Sequence, residues 1–165
     1  MTRIVVGVDG SRHSRRALRR AIDEGRLRDG TVDAVYVYEP PQRSVADDLI
    51  SLPLGGAAAL GAMSTDRPRN DPPSRQREAH LVAERRLAQF VEEAVDDVGR
   101  PTPRPVVIPD DNAAEALIGH AKGADLLIIG TRGLGGFAGM LLGSVAHQCI
   151  QRCACPMLIL PPHDE

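Results

Sequence analysis

Asp125-Leu126-Leu127-Ile128-Ile129-Gly130-Thr131-Arg132-Gly133, followed nine residues later by Gly143-Ser144-Val145, carries the pattern that decides the fold. Its apolar run is short enough to be a strand buried on both faces, as in a parallel sheet. After Gly143-Ser144, the residues Val145, Ala146, Cys149, Ile150 and Cys153 recur at intervals of three and four, which reads as a helix. Glycines therefore stand just beyond a strand end, and a Gly-Ser pair stands where a helix begins. Glycine there permits positive φ or lets a ligand approach bare backbone. A helix N-terminus adds unpaired N–H groups and a positive dipole end, which favour an anion such as phosphate. A loop that only turns the chain has the same glycine content, so the stretch needs support from elsewhere.

Two better-known phosphate motifs do not apply. A Walker loop needs a lysine for the β/γ-phosphates, and the chain's single lysine, Lys122, precedes the strand. Gly133-Leu134-Gly135-Gly136-Phe137-Ala138 fits the loose dinucleotide fingerprint. It opens no immediate helix, however, and lacks the downstream acidic residue of that motif.

The 165 residues suit one domain with a sizeable core. With 42% hydrophobic but 2% aromatic residues, that core must be built from Val, Ile, Leu and Ala. Such a core suits a parallel sheet covered by helices. A net charge of −2 supplies no field for nucleic acid or an anionic membrane. The arginines at 12, 15, 16, 19 and 20 read as a solvated helix face, since no aromatics accompany them for base stacking. No basic-then-apolar leader and no apolar run near the ~18 residues of a membrane span is found, so a cytoplasmic location is expected. Cys149, Cys153 and Cys155 match no common zinc spacing and are too few for a disulfide framework. They read as small buried residues at a helix-to-strand junction.

Arg3 to Val8 is a β-branched run closed by the turn sequence Asp9-Gly10-Ser11. A helix follows with Ala17, Leu18, Ala21, Ile22 and Gly25 on one face, capped by Ser11 or Ser14. Thr31 to Tyr38 alternates as a second strand. Residues 40 to 75 then carry Pro40, Pro41, Pro53, Pro68, Pro72 and Pro73 and read as a long flexible insertion or lid, with Leu49 to Met63 apolar enough for a short helix. Glu78 to Val98 reads as an amphipathic helix with Leu87, Val91, Ala94, Val95 and Val98 inward and Gly99 as its C-cap. Arg104 to Ile108 is a third strand, and Pro105 suggests a sheet edge. Asn112 and Glu115 form a capping box for a helix with Ala113, Leu117, Ile118 and Ala121 inward. Met157 to Leu160 is the fifth strand.

This strand–helix alternation implies a single α/β domain over 1–165, Rossmann-like, with a five-stranded parallel sheet and helices on both faces. Ligands in such sheets bind beyond the carboxyl ends of the strands where strand order reverses. If strands one and four are neighbours, Asp9-Gly10-Ser11 and Gly130 to Gly133 meet at that crevice. Asp9 could then take ribose hydroxyls or an adenine edge, with the glycines and Ser144 on phosphates.

Val5-Val6-Gly7-Val8-Asp9-Gly10-Ser11, the spaced Gly130-x2-Gly133-x9-Gly143-Ser144 motif and the tail Cys155-Pro156-Met157-Leu158-Ile159-Leu160 resemble the universal stress protein family, in its ATP-binding branch. The resemblance covers nearly the whole chain outside the insertion. It implies strand order 3-2-1-4-5 and a nucleotide site at Gly7, Val8, Asp9, Val37, Ile129, Gly130, Arg132, Gly133, Gly143, Ser144 and Val145. The implied ligand is ATP, alone or with Mg2+, and the implied assembly is a homodimer through the last strand. Pro109-Asp110-Asp111 departs from the family, which often has glycine there.

The leading expectation is an ATP-binding stress-response regulatory protein whose nucleotide sets conformation or partner binding, with slow hydrolysis at most. An enzyme on the same fold, a nucleotide hydrolase or nucleotidyl transferase, is the second reading, and a nucleotide-free interaction module the third. Asp9, Ser11 and His13 fall within one turn, which rarely gives triad geometry. No catalytic residue and no metal ligand is assigned.

Overall fold

A computed structural model of the chain describes residues 1–41, 72–95, 102–134 and 142–161. Its elements are β1 (Arg3–Val8), α1 (Arg12–Leu27), β2 (Thr31–Tyr38), α2 (Pro72–Ala94), β3 (Arg104–Pro109), α3 (Ala113–His120), β4 (Leu126–Gly130), α4 (Ser144–Arg152) and β5 (Met157–Leu160). The five strands form one parallel sheet in the order β3-β2-β1-β4-β5, as expected. The insertion's expected short helix at Leu49 to Met63 lies outside the described residues, as do Val98 and Gly99.

β1 is central and apolar on both sides. Ile4, Val6 and Val8 point into one core with Ala17, Leu18, Ala21 and Ile22 of α1 and Leu87, Phe90, Val91 and Ala94 of α2. Val5 points into the other, with Val35, Leu127, Ile129, Leu117 of α3 and Ala146 and Cys149 of α4. The α1 face read from the sequence is buried as expected. At the sheet edge, the Asp110 N–H donates to Tyr38 O at 3.0 Å. By alternation, Ile108 and Val106 also turn their amides toward β2, while Pro105 and Pro109 fall on the outward phase. There a missing N–H removes no ladder bond.

Four local expectations need correction. Helix α2 begins at Pro72, not Glu78, because prolines are tolerated in a first turn whose amides have no intrahelical acceptor. The capping box is half formed. Asn112 Oδ1 accepts the Glu115 N–H at 3.2 Å, but the Asn112 N–H goes to Asp110 Oδ1 at 2.8 Å. Glu115 is drawn instead to Arg152 of α4. Ile150 is 47% exposed, since the buried stripe of this nine-residue helix is Ala146 and Cys149 and Ile150 lies one step off it. Cys149 is buried as expected, and burial raises its thiol pKa to about 11, but Cys153 and Cys155 are half-buried with their sulfurs 3.3 Å apart.

The amino end of the sheet is closed by one carboxylate. Asp33 on β2 is 3% exposed and receives Arg104 Nε at 2.9 Å, Arg3 Nη2 at 3.0 Å and His120 Nε2 at 3.1 Å. Arg3 also donates to the carbonyl of His120 at 2.9 Å, and its own N–H reaches Asp125 Oδ2 at 2.7 Å. The starts of β1, β2, β3 and β4 and the end of α3 are thereby tied together. Burial pushes the Asp33 carboxyl pKa up, but the bonds from Arg104, His120 and Arg3 outweigh that, so it lies below its usual 3.8. A depressed folded pKa stabilises at neutral pH and loses that contribution as pH falls through it. Asp33→Asn is therefore expected to cost about 3 kcal/mol at pH 7 and to flatten the acid side of the stability profile. Urea unfolding of both proteins from pH 7 to 3 checks this, and equal slopes would refute it.

Candidate functional site: a cleft at the carboxyl ends of β1 and β4

Strand order reverses between β1 and β4, and the loops leaving these strands meet there. Beyond β1, Gly10 has φ +88°, which an L side chain rarely adopts. Asp9 Oδ1 accepts the Ser11 N–H at 2.9 Å, and Ser11 Oγ caps α1 by accepting the Ser14 N–H at 3.1 Å. Ser11, not Ser14, is thus the N-cap. Asp9 Oδ2 crosses the crevice and accepts the Leu134 N–H at 2.7 Å, latching the glycine loop to β1.

Beyond β4, the backbone of Thr131 is held from both sides. Its N–H donates to Leu160 O at 2.9 Å, and its carbonyl accepts the Gly143 N–H at 2.6 Å. The motif glycines act through close approach rather than unusual backbone, because none of Gly130, Gly133 and Gly143 has positive φ. A Cβ on Gly133 would stand 2.4 Å from Asp9 Oδ2, and one on Gly130 would stand 3.2 Å from His13 Cβ. Gly143 heads α4 with no side-chain cap, so the first-turn amides of that helix lack an intrahelical partner.

Together these segments enclose a cleft of about 300 Å³, the lower end of the range for small-molecule sites. All eleven residues expected at the site (Gly7, Val8, Asp9, Val37, Ile129, Gly130, Arg132, Gly133, Gly143, Ser144 and Val145) line it. The remaining wall includes Ser14, Val35, Ala113, Leu117 and Thr131, which the sequence did not single out. Val35 was signalled by sharing a strand face with Val37, and Thr131 by standing between motif glycines. Ala113 and Leu117 were recognised as inward-facing, but nothing local said that their helix faces this loop.

The cleft has two characters. Val35, Val37, Ala113, Leu117 and Ile129 make an apolar side. The rest of the lining includes the start of α4, which has no side-chain cap, together with Arg132 and Thr131, whose Nε and Oγ1 are themselves buried and lack a hydrogen-bond partner among the described residues. Asp9 is the sole carboxylate among the described lining residues, and both its oxygens already accept backbone amides. The start of α4 offers amides with no side-chain cap, and Arg132 adds a cationic side chain to the lining. This donor set fits an anionic group such as phosphate, joined to a flat apolar group. The Asp9, Ser11 and His13 cluster is not a triad: Asp9 and Ser11 are occupied with backbone amides, and His13 packs behind Gly130.

Comparison with known proteins agrees with this architecture. The family model described as universal stress protein family matches residues 1–161. A universal stress protein of Mycobacterium tuberculosis (strain H37Rv) is 30% identical over 156 residues, covering 94% of this chain and 44% of its own length. A second from the same strain is 29% identical over 160 residues, covering 97% and 48%. The chain therefore spans about half the length of the curated relatives it matches. Among solved structures, a universal stress protein in complex with cAMP superposes with TM-score 0.59 at 22% identity, covering 98% of each chain. The Archaeoglobus fulgidus universal stress protein in complex with dAMP gives 0.55 at 20%, covering 96% of this chain and 97% of that one. UspA of Lactobacillus plantarum gives 0.61 at 16%, covering 96% and 97%. Among the described residues, no helix is long and apolar enough to cross a membrane. On the match of its sequence over nearly its full length, the chain belongs to the universal stress protein family.

Proposed function

We propose that the cleft between β1 and β4 binds an adenine nucleotide, ATP foremost, and that the bound nucleotide regulates the protein's conformation or partners. The observation that carries this reading is the pairing of an apolar wall with a helix start that has no side-chain cap, in one cleft at the sheet's switch point. Two family members of the same fold, one in complex with cAMP and one with dAMP, support the choice of adenine. The base lies against Val35, Val37 and Leu117, Asp9 meets the ribose, and the phosphates run toward Gly133, Ser144 and Arg132. Mg2+, where present, accompanies the phosphates. With Asp9 and Ser11 committed to backbone amides, turnover is slow at most.

Titration calorimetry with ATP, AMP, cAMP and GTP, together with identification of any nucleotide released by denaturing the purified protein, tests this reading. Binding of adenine nucleotides in preference to GTP is expected; no binding of any of them would overturn it. Gly133→Ala should weaken ATP binding at least tenfold, about 1.4 kcal/mol, because its Cβ collides with Asp9 Oδ2 and opens the Asp9–Leu134 latch. The same substitution should cost much less in an Asp9→Ala background, where the collision is gone. Equal costs in the two backgrounds would show that the latch is not the route.

β5 is the sheet's outer strand, paired only with β4 among the described residues. We propose that two copies pair through this edge. Leu127 N–H donates to Pro156 O and Thr131 N–H to Leu160 O, so by alternation the amides of Met157 and Ile159 face outward. An unbroken edge of this kind invites another strand. The side chains are unsuitable targets, since Leu158 packs on one core and Ile159 on the other. Ile159→Pro removes the outward amide instead, and should give a folded monomer that still binds ATP. Sedimentation at micromolar concentration decides this, and a monomeric wild-type protein would refute the pairing.

A further inference from the structure

Two cysteines stand side by side where α4 gives way to β5. Cys153 is the C-cap of α4, and its N–H donates to Cys149 O at 2.8 Å. Its backbone lies in the extended region, where a side chain and the one two places on share a face. That second residue is Cys155, and the two sulfurs are 3.3 Å apart. Both residues are partly exposed, whereas Cys149 is fully buried in the core beside them. Among the described residues, no group of three or more His, Cys, Asp or Glu side chains comes together in a way that could hold a metal ion. The pair therefore lacks the further ligands that a closed thiolate metal site uses.

A disulfide bond is about 2.05 Å long, so the existing sulfur contact leaves only a short approach. We infer that Cys153 and Cys155 are a redox modification site, which closes reversibly to a disulfide by exchange with a low-molecular-weight disulfide. The Cys153 thiolate attacks one sulfur of that reagent, and the other sulfur leaves and is protonated to a thiol. The Cys155 sulfur, on losing its proton, displaces the second half of the reagent from Cys153. Two protein thiols are thereby oxidised while one small disulfide is reduced to two thiols. Burial, with the Cys153 thiol beside it, pushes the Cys155 thiol up to about 11. That is compatible with the second step, which is intramolecular and depends more on proximity than on a standing thiolate. Only Ala154 separates the two cysteines, and so short a ring gains little from loop closure. Such a bond is easily reduced again, unlike one that staples a fold. None of this depends on what the cleft binds.

The test is incubation of the reduced protein with oxidised glutathione, followed by alkylation and mass mapping of the cysteines. Free thiols in the wild type should fall from the three in the chain to Cys149 alone, with Cys153 joined to Cys155 and no glutathione retained. Excess reduced glutathione should restore all of them. Cys155→Ser should stop at a persistent glutathione adduct on Cys153, and Cys153→Ser should form no intramolecular disulfide. Survival of every thiol in the wild type would overturn the inference, as would a persistent glutathione adduct there. A bond that includes Cys149 or joins two chains would also overturn it, and so would a disulfide that excess reduced glutathione fails to reopen.

Discussion

β1 is hydrogen-bonded on both edges and covered on both faces, and the rest of the molecule follows from satisfying it. Its parallel neighbours β2 and β4 arrive through different crossovers, so the chain must leave β1 in one direction and return on the other side. Two helices are needed on each face, because Ile4 and Val6 point one way and Val5 the other. A gap at the carboxyl end of the sheet follows from this geometry. The loops after β1 and β4 diverge to opposite faces, and nothing in the sheet itself fills the space between them.

The two ends of the sheet treat polar groups in opposite ways. At the amino end, Asp33 is buried but receives donors from Arg3, Arg104 and His120, so the cost of burying its charge is offset by three partners. At the carboxyl end, the Thr131 hydroxyl and Arg132 Nε have no partner among the described residues, and α4 starts without a side-chain cap. One end is completed by the chain's own side chains, whereas the other presents the amides of a helix start. Local economy at one end and local cost at the other is the pattern expected when stability and binding are met by different parts of a fold. Asp9 belongs wholly to the carboxyl end, where the carboxylate that orders the β1 turn also holds the glycine loop in place.

Much of this was legible in the sequence because it depends on neighbours along the chain. The period-two alternation of Thr31 to Tyr38, the repeat of Ala17, Leu18, Ala21 and Ile22, and the caps at Ser11 and Asn112 are local signals, and each survives in the structure. The order of the strands came from resemblance and agrees with the observed sheet. The eleven expected site residues converge on one cleft because they sit at strand ends and a helix start, which are local features.

What only the tertiary structure decided are pairings across long separations. Asp33 reads as an intrusion in an apolar strand until register brings Arg104, Arg3 and His120 to it. Glu115 matches a capping box, yet Arg152 from another helix offers a stronger partner than its own N-cap amide, which Asp110 takes. Gly133 looks like a residue that makes room for a phosphate, but its Cβ position is occupied by Asp9, more than a hundred residues earlier in the chain. Sequence spacing determines which face of an element is apolar and where it starts. It does not determine which polar groups meet, because that depends on how helices and loops from distant parts of the chain are brought together when the sheet closes its register.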